Sequence, residues 1–112
     1  MKRIEAIISP TKVDQVCAIL ENVGYPSVTI SNVEGRGSKK GSERKIRGIT
    51  YTVPFVEEKR VVLVVKDKEV DGIMKAIREA ACTGKTGDGM IFVSSMDNAM
   101  SIRTGETGET AV

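Results

Sequence analysis

The apolar positions of this 112-residue chain change period several times, and each change marks an element. "MKRIEAIIS" alternates, which places Ile4, Ala6 and Ile8 on one face of a strand that Pro10 ends. Thr11 stands where it can cap a helix in which Val13, Val16, Cys17 and Leu20 recur at the spacing of one apolar stripe, and Gly24 sits where that helix stops. The stripe makes Cys17 a core thiol. "SVTISNV" reads as a second strand, and from Glu34 to about Thr50 the chain is charged, glycine-bearing and shows neither period. "KRVVLVV" at 59–65 is a near-continuous β-branched run, the pattern of a strand central in its sheet. Asp67 is placed to cap a second helix, whose stripe is Val70, Ile73, Met74, Ile77 and Ala81 and which Gly84 would stop. "MIFVSS" is a fourth strand. The scatter Met96, Ala99, Met100 and Ile102 allows a short edge strand before the polar tail "TGETGETAV", expected to be loose over about 104–112.

The order β, α, β, long loop, β, α, β predicts one α+β domain over 1–112, a ferredoxin-like βαββαβ fold with a long loop between its second and third strands. Both helices then lie on one face of a four-stranded antiparallel sheet. The other face lacks a cover, and a third strand that is apolar on both sides predicts that further copies of the chain supply it.

Composition removes whole classes of chemistry. There is no histidine, so imidazole metal sites, Ser-His or Cys-His catalysis and histidine pH switching are excluded. The two cysteines, Cys17 and Cys82, form no CxxC pair, and no stretch of about 18 apolar residues is present to cross a membrane as a helix. No leader segment is evident, and the expectation is a cytoplasmic protein with reduced thiols. The net charge of +2 implies no partner by itself. Its distribution does: Arg36, Lys39, Lys40, Arg44, Lys45 and Arg47 face the single acid Glu43 within residues 36–48, which favours an anionic ligand or an acidic partner surface.

The stretch "TGKTGDGMIF" at 83–92 crowds Gly84, Gly87 and Gly89 together, so it either takes positive φ angles or lets something approach its backbone. "GKT" is not a P-loop, because the upstream glycine of that motif is missing. "GRGSKKG" at 35–41 fails the dinucleotide fingerprint, its third glycine one residue late and no helix following. An acylphosphatase-like enzyme would want an arginine and an asparagine around a phosphate-cradling loop between the first strand and the first helix, where this chain has "SPTK", with no glycine and no arginine. A nucleic-acid-binding sheet would stack bases on aromatics; "KRVVLVV" has none and Phe92 stands alone, so no nucleic-acid partner is expected. Two glycine-rich segments survive, 35–41 and 84–89. Such loops either connect elements and nothing more, or offer backbone amides to an anion, with Arg36, Lys39, Lys40, Lys85 and Arg103 adding charge.

"TGKTGDGMIFV" followed by "IRTGE", with "GRG" at 35–37, "KKG" at 39–41, "RGITY" at 47–51 and the opening "MKRIEAIISPTKVDQV", resembles the PII signal-transduction proteins over the whole chain. The resemblance implies a regulator and not an enzyme: a homotrimer that binds ADP, ATP or AMP in inter-subunit clefts. It also implies a flexible T-loop over about 36–54 that docks on a membrane transporter or an enzyme. Residue by residue, Thr29 and Val64 match positions that frame the adenine. Gly35, Gly37, Gly87, Asp88 and Gly89 match the backbone around the phosphates, and Arg103 matches an arginine that reaches across the subunit boundary. Arg36, Lys39, Lys40, Arg44, Lys45, Arg47 and Tyr51 fall in the loop that meets partners.

The match has gaps. Met90 stands in place of a phosphate-binding lysine, and Ser38 and Ser101 in place of arginines. Lys39 replaces the glutamine that helps the family hold Mg²⁺ and 2-oxoglutarate, and Glu58 replaces the lysine that pairs with the oxoacid. The resemblance therefore implies a degenerate 2-oxoglutarate site, leaves Mg²⁺ open, and allows another small anion such as bicarbonate to take the vacated role. Tyr51 matches a tyrosine that some relatives modify, but Ile46, Ile49 and Thr50 depart from the surrounding signature.

Overall fold

The structure, a computed structural model, describes residues 1–36, 43–52 and 55–112. In chain order the elements are β1 (Lys2–Ile8), α1 (Val13–Asn22), β2 (Thr29–Gly35), β3 (Glu43–Ile46), β4 (Ile49–Thr52), β5 (Val56–Val65), α2 (Val70–Ala81) and β6 (Gly89–Ser95). Strands β2, β5, β1 and β6 form one antiparallel sheet in that order. This is the ferredoxin-like α+β arrangement that the element order predicts.

The register explains the core. Ile4 pairs with Leu63 and Val93, and Ala6 with Val61 and Ile91, so the small Ala6 sits between larger neighbours on both flanking strands. Ile4, Ala6, Ile8, Val61, Leu63 and Val65 are buried on this face, against Val16 and Leu20 of α1 and Val70, Ile73, Ile77 and Ala81 of α2. Both predicted stripes thus point inward. Truncating a fully buried member such as Leu20 to alanine typically costs about 2–5 kcal/mol. Cys17 is half-buried at the edge of its stripe and not in the centre of the core.

The opposite face carries Arg3, Glu5 and Ile7 of β1 beside Arg60, Val62 and Val64 of β5. It is not uniformly apolar, as the β-branched run of the third predicted strand suggests. Glu5 takes both arginines, Arg3 at 3.1 Å and Arg60 at 3.5 Å, and the Arg60 Nε–H donates to Ser31 Oγ at 3.1 Å. Around this cluster Phe92 remains 51% exposed and Met90 61% exposed.

Four local expectations are corrected. Neither Thr11 nor Asp67 caps its helix: both helices begin through a 3-10 turn, Pro10–Lys12 and Asp67–Glu69, and no side chain bonds to the first amides. Proline's fixed φ suits the opening of the first turn. The Thr11 hydroxyl meets Ser9 Oγ at 3.0 Å, and Asp67 is drawn to the N-terminal ammonium of Met1 at 2.8 Å. Helix α2 ends at Ala81 with an extended Cys82, ahead of Gly84. The segment read as one aperiodic loop contains a hairpin, β3 paired with β4. Its two turn residues, Arg47 at φ 53° and Gly48 at φ 79°, have the positive angles of a two-residue turn whose twist matches that of paired strands. The Cα radius of gyration, 16.8 Å, exceeds the roughly 13 Å of a compact domain of about this length, as a strand pair outside the main sheet requires.

The C-terminal residues, where a loose tail is the expectation, fold back. Instead of a further strand there is a single bridge between Met100 and Thr107, and the amides of Gly105 and Gly108 donate to Ser101 and Ala99 carbonyls at 2.8 and 3.0 Å.

Candidate functional site: a glycine-lined cleft

The chain leaves α2 through Cys82 and reaches β6 across six residues, 83–88, that are organised by one carboxylate. Asp88 Oδ2 accepts from the backbone amides of Thr83 and Gly84 at 2.8 and 2.9 Å, and Oδ1 accepts from the Thr83 hydroxyl at 2.5 Å. The Thr83 oxygen in turn accepts from the Lys85 amide at 3.2 Å. These bonds favour the ionised form, so the Thr83 hydroxyl first, and then the Thr83 amide, hold the Asp88 carboxyl below its usual value of 3.8; burial opposes them less strongly, and the Gly84 amide adds a smaller lowering. The glycines follow from this closure: Gly84, Gly87 and Gly89 have φ of 80°, 99° and 103°.

Gly89 answers to a second constraint. A Cβ there would stand 1.7 Å from the carbonyl oxygen of Ile7 and 2.8 Å from its carbon, both backbone atoms of β1. The first residue of β6 is pressed onto its neighbour strand more closely than any side chain allows.

Across from this loop lie the end of β2 and the start of β5. Together they enclose a cleft of about 510 Å³, with Gly35, Arg36 and Glu58 on one wall and Lys85, Gly87 and Gly89 on the other. Ile7, Met90 and Phe92 give it an apolar floor. Arg36 and Lys85 bring positive charge. Glu58 brings a negative one, its Oε2 lying 3.5 Å from the position a Cβ on Gly35 would occupy.

Of the residues singled out in the sequence, the cleft unites Gly35, Arg36, Lys85, Gly87, Asp88, Gly89 and Met90. Thr29 and Val64 are not among them. Thr29 is exposed opposite Val62, and Val64 lines a separate cavity of about 500 Å³ with Tyr25, Lys66 and the C-terminal Ala111 and Val112. Arg103 is exposed and lines neither. Gly37, Ser38, Lys39 and Lys40 lie outside the described residues, and Arg44, Lys45, Arg47 and Tyr51 belong to the β3–β4 hairpin and its turn. Sequence reasoning missed Thr83, the partner that fixes Asp88; the signal was a threonine opening a glycine-rich turn that an aspartate closes.

Among the described residues no helix is long and apolar enough to cross a membrane, and no group of three or more His, Cys, Asp or Glu side chains could hold a metal ion.

Fold and cleft together define a ferredoxin-like domain in which two glycine-bearing segments, distant in sequence, meet at one end of the sheet. The chain belongs to the P-II family: the family model described as "Nitrogen regulatory protein P-II" matches residues 1–106. Curated proteins of that name are similar along the full length of both chains, among them those of Rhizobium meliloti (strain 1021) at 44% identity, Microchaete diplosiphon at 45% and Rhodobacter capsulatus at 46%, each over 112 residues. The relatives are named as regulators, and the family is one of signalling proteins rather than enzymes.

Proposed function

We propose that this chain is a homotrimeric PII-like signalling protein that binds ADP, ATP or AMP in clefts between subunits and regulates a transporter or enzyme through the segment 36–54. The observation that carries this reading is the cleft itself, where Gly35–Arg36 meets the Asp88-pinned loop 83–89. Closely spaced positive-φ glycines form concavities that suit oxyanions, and Arg36 and Lys85 supply charge for a phosphate chain. That Thr29, Val64 and Arg103 lie away from this cleft in one chain supports a site completed by a neighbouring subunit. The mixed uncovered face, with Phe92 and Met90 exposed around the Glu5 cluster, supports the same neighbour.

Met90 and Ser101 provide no cation for a third phosphate, so ADP and AMP compete with ATP better than a fully charged pocket would allow. 2-Oxoglutarate has two carboxylates to neutralise, and Glu58 repels where a cation is needed; the loop then answers to nucleotide, with a small anion such as bicarbonate as the second reading. Light scattering of the full chain together with titration calorimetry against AMP, ADP, ATP, 2-oxoglutarate and bicarbonate tests this. Trimer mass with saturable nucleotide heat and no heat from 2-oxoglutarate supports the reading; a 12.1 kDa monomer without nucleotide binding overturns it.

A further inference from the structure

We infer that a hollow on the helix side of β6 is a second ligand site, which takes a short aliphatic carboxylate with its chain against the core and its charge on Arg78. The site lies behind the glycine-lined cleft, and its existence does not depend on the nucleotide reading.

The hollow has a volume of about 290 Å³ and opens where the last turn of α2 passes the start of β6. Its floor is core: Ile77 is fully buried, Ile8 and Ala81 nearly so, and Ile91 packs against the same cluster. The gap follows from the sizes of two residues. Ala81 holds the last buried position of the α2 stripe, and its methyl does not fill the space that Ile77 fills one turn earlier. Gly89 pairs with Ile8 and brings no side chain beside it, nor can it, because a Cβ there would strike the Ile7 carbonyl. The close approach of β1 and β6 that demands glycine thus leaves room behind it. Protein interiors are close-packed, and an apolar hollow in one takes apolar molecules.

The rim selects the head group. Arg78 lines it, is exposed, and makes no ion pair among the described residues. The carboxylate of the wall, Asp88, is turned onto Thr83 and Gly84 and is occupied with their donors. An aliphatic chain therefore matches the floor, and a single anionic group matches the guanidinium, which suits carboxylates. The volume, at the lower end of the roughly 300–1,000 Å³ of small-molecule pockets, calls for a short chain.

Asp88, Gly89 and Met90 line both this hollow and the cleft on the other side. The start of β6 is the partition between them. A ligand that braces the partition from behind favours the closed form of loop 83–88, in which Asp88 holds the Thr83 and Gly84 amides.

The test is an NMR titration of the full chain with hexanoate, and with acetate and hexanol as probes of the head group and the chain alone. Hexanoate should shift Ile8, Ile77 and Ile91 saturably at millimolar concentration, and acetate and hexanol should each bind at least about tenfold more weakly. Arg78→Gln should bring hexanoate down to the level of hexanol, and Arg78→Lys should restore part of the difference. Ala81→Leu, which fills the hollow, should abolish binding; because it also crowds the core, the exposed Arg78 variants carry the decision. In the parent, hexanoate should slow exchange of the Thr83 and Gly84 amides while core amides of β5 are unchanged. Absence of saturable shifts at the lining residues, or equal affinity of parent and Arg78→Gln for hexanoate, overturns the site. Binding that leaves the Thr83 and Gly84 amides unchanged overturns its connection to the cleft.

Discussion

Gly89 and Gly48 both have positive φ, 103° and 79°, and they hold that angle for different reasons. Gly48 turns the β3–β4 hairpin, and a Cβ there would meet nothing within 4 Å. Gly89 starts a strand of the main sheet, and a Cβ there would strike the backbone of Ile7. In the first case glycine is required only by the local angle; in the second it is required by the packing of one strand on another. The two regions around them differ in the same way. Loop 83–88 is tied to itself by one carboxylate and to β1 by Gly89, whereas what the structure describes of the hairpin is its strand-to-strand pairing. A glycine-rich sequence can thus mark either a fixed wall or a turn standing in solvent, and composition alone does not separate them.

The sharpest way to break this contrast is Gly89→Ala. Relieving a 1.7 Å approach to the Ile7 carbonyl requires β1 and β6 to separate at their ends, on top of the strain of positive φ, and together these should cost at least about 3 kcal/mol. Urea denaturation at fixed protomer concentration measures it; a loss under about 1 kcal/mol would mean that the strand end yields easily and that the wall is not fixed.

Asp88→Asn should act next, and locally. The loop loses its charged acceptor, so the Thr83 and Gly84 amides should exchange with solvent much faster while core amides of β1 and β5 keep their protection. The same bond set gives a pH signature. Because the folded-state pKa of Asp88 lies below the usual 3.8, its contribution to loop closure is fully present above that value and is lost as the pH falls through the lower, folded-state value. Amide exchange at Thr83 followed from pH 6 downward should show protection falling only on the acid side, and a flat profile would contradict the assignment of Asp88 as the organising group.

Gly48→Ala is the smaller counterpart of Gly89→Ala. Only the φ of 79° opposes it, which costs about 1 kcal/mol and falls on the hairpin alone. Unfolding of the main sheet should be unchanged within error, while the hairpin's own exchange protection falls; equal damage from both glycine substitutions would erase the distinction between the two regions.

How legible these features are in the sequence follows the range of the interactions behind them. The first strand, both helical stripes and the core residues Ile4, Ala6, Ile8, Val16, Leu20, Ile73 and Ile77 follow from period, because burial on one face imposes that period, and β5 follows from its continuous β-branched run. The hairpin escaped because its turn is Arg47-Gly48 and not the usual Asn-Gly, and an arginine at φ 53° carries no turn signal. The caps at Thr11 and Asp67 were misread because 3-10 turns displaced each helix start, and because the N-terminal ammonium, 66 positions from Asp67, competes for its carboxylate. At the cleft, the glycines and Asp88 are visible as a run, but that Asp88 bonds within its own loop depends on the fold of six residues. That Gly35 and Glu58 face them depends on the sheet order.

The smallest expected effect extends the comparison to a third place where a carboxylate closes a gap. Asp67, at the entrance to α2, takes the Met1 ammonium at 2.8 Å, and Glu109 of the C-terminal 3-10 turn lies 3.9 Å from the same nitrogen. The ammonium is the first cause that holds the Asp67 carboxyl below its usual 3.8. The physical difference from Asp88 is the partner. Asp88 accepts from backbone amides four and five residues away within its own loop, whereas Asp67 depends on a chain end and on an ion pair whose carboxylate side is exposed, a kind that salt screens. Asp67→Asn should therefore leave the core and the cleft loop unaffected and loosen only the two termini. Exchange at the Gly108 amide should rise modestly in low salt and be indistinguishable from the parent at about 1 M salt, where the screening length is roughly 3 Å. Asp88→Asn should change the Thr83 amide equally at both salt concentrations, because its partners are short hydrogen bonds within one loop. If the two substitutions responded to salt alike, the carboxylates would be working by the same long-range attraction, and the fixed wall would be no more than another surface ion pair.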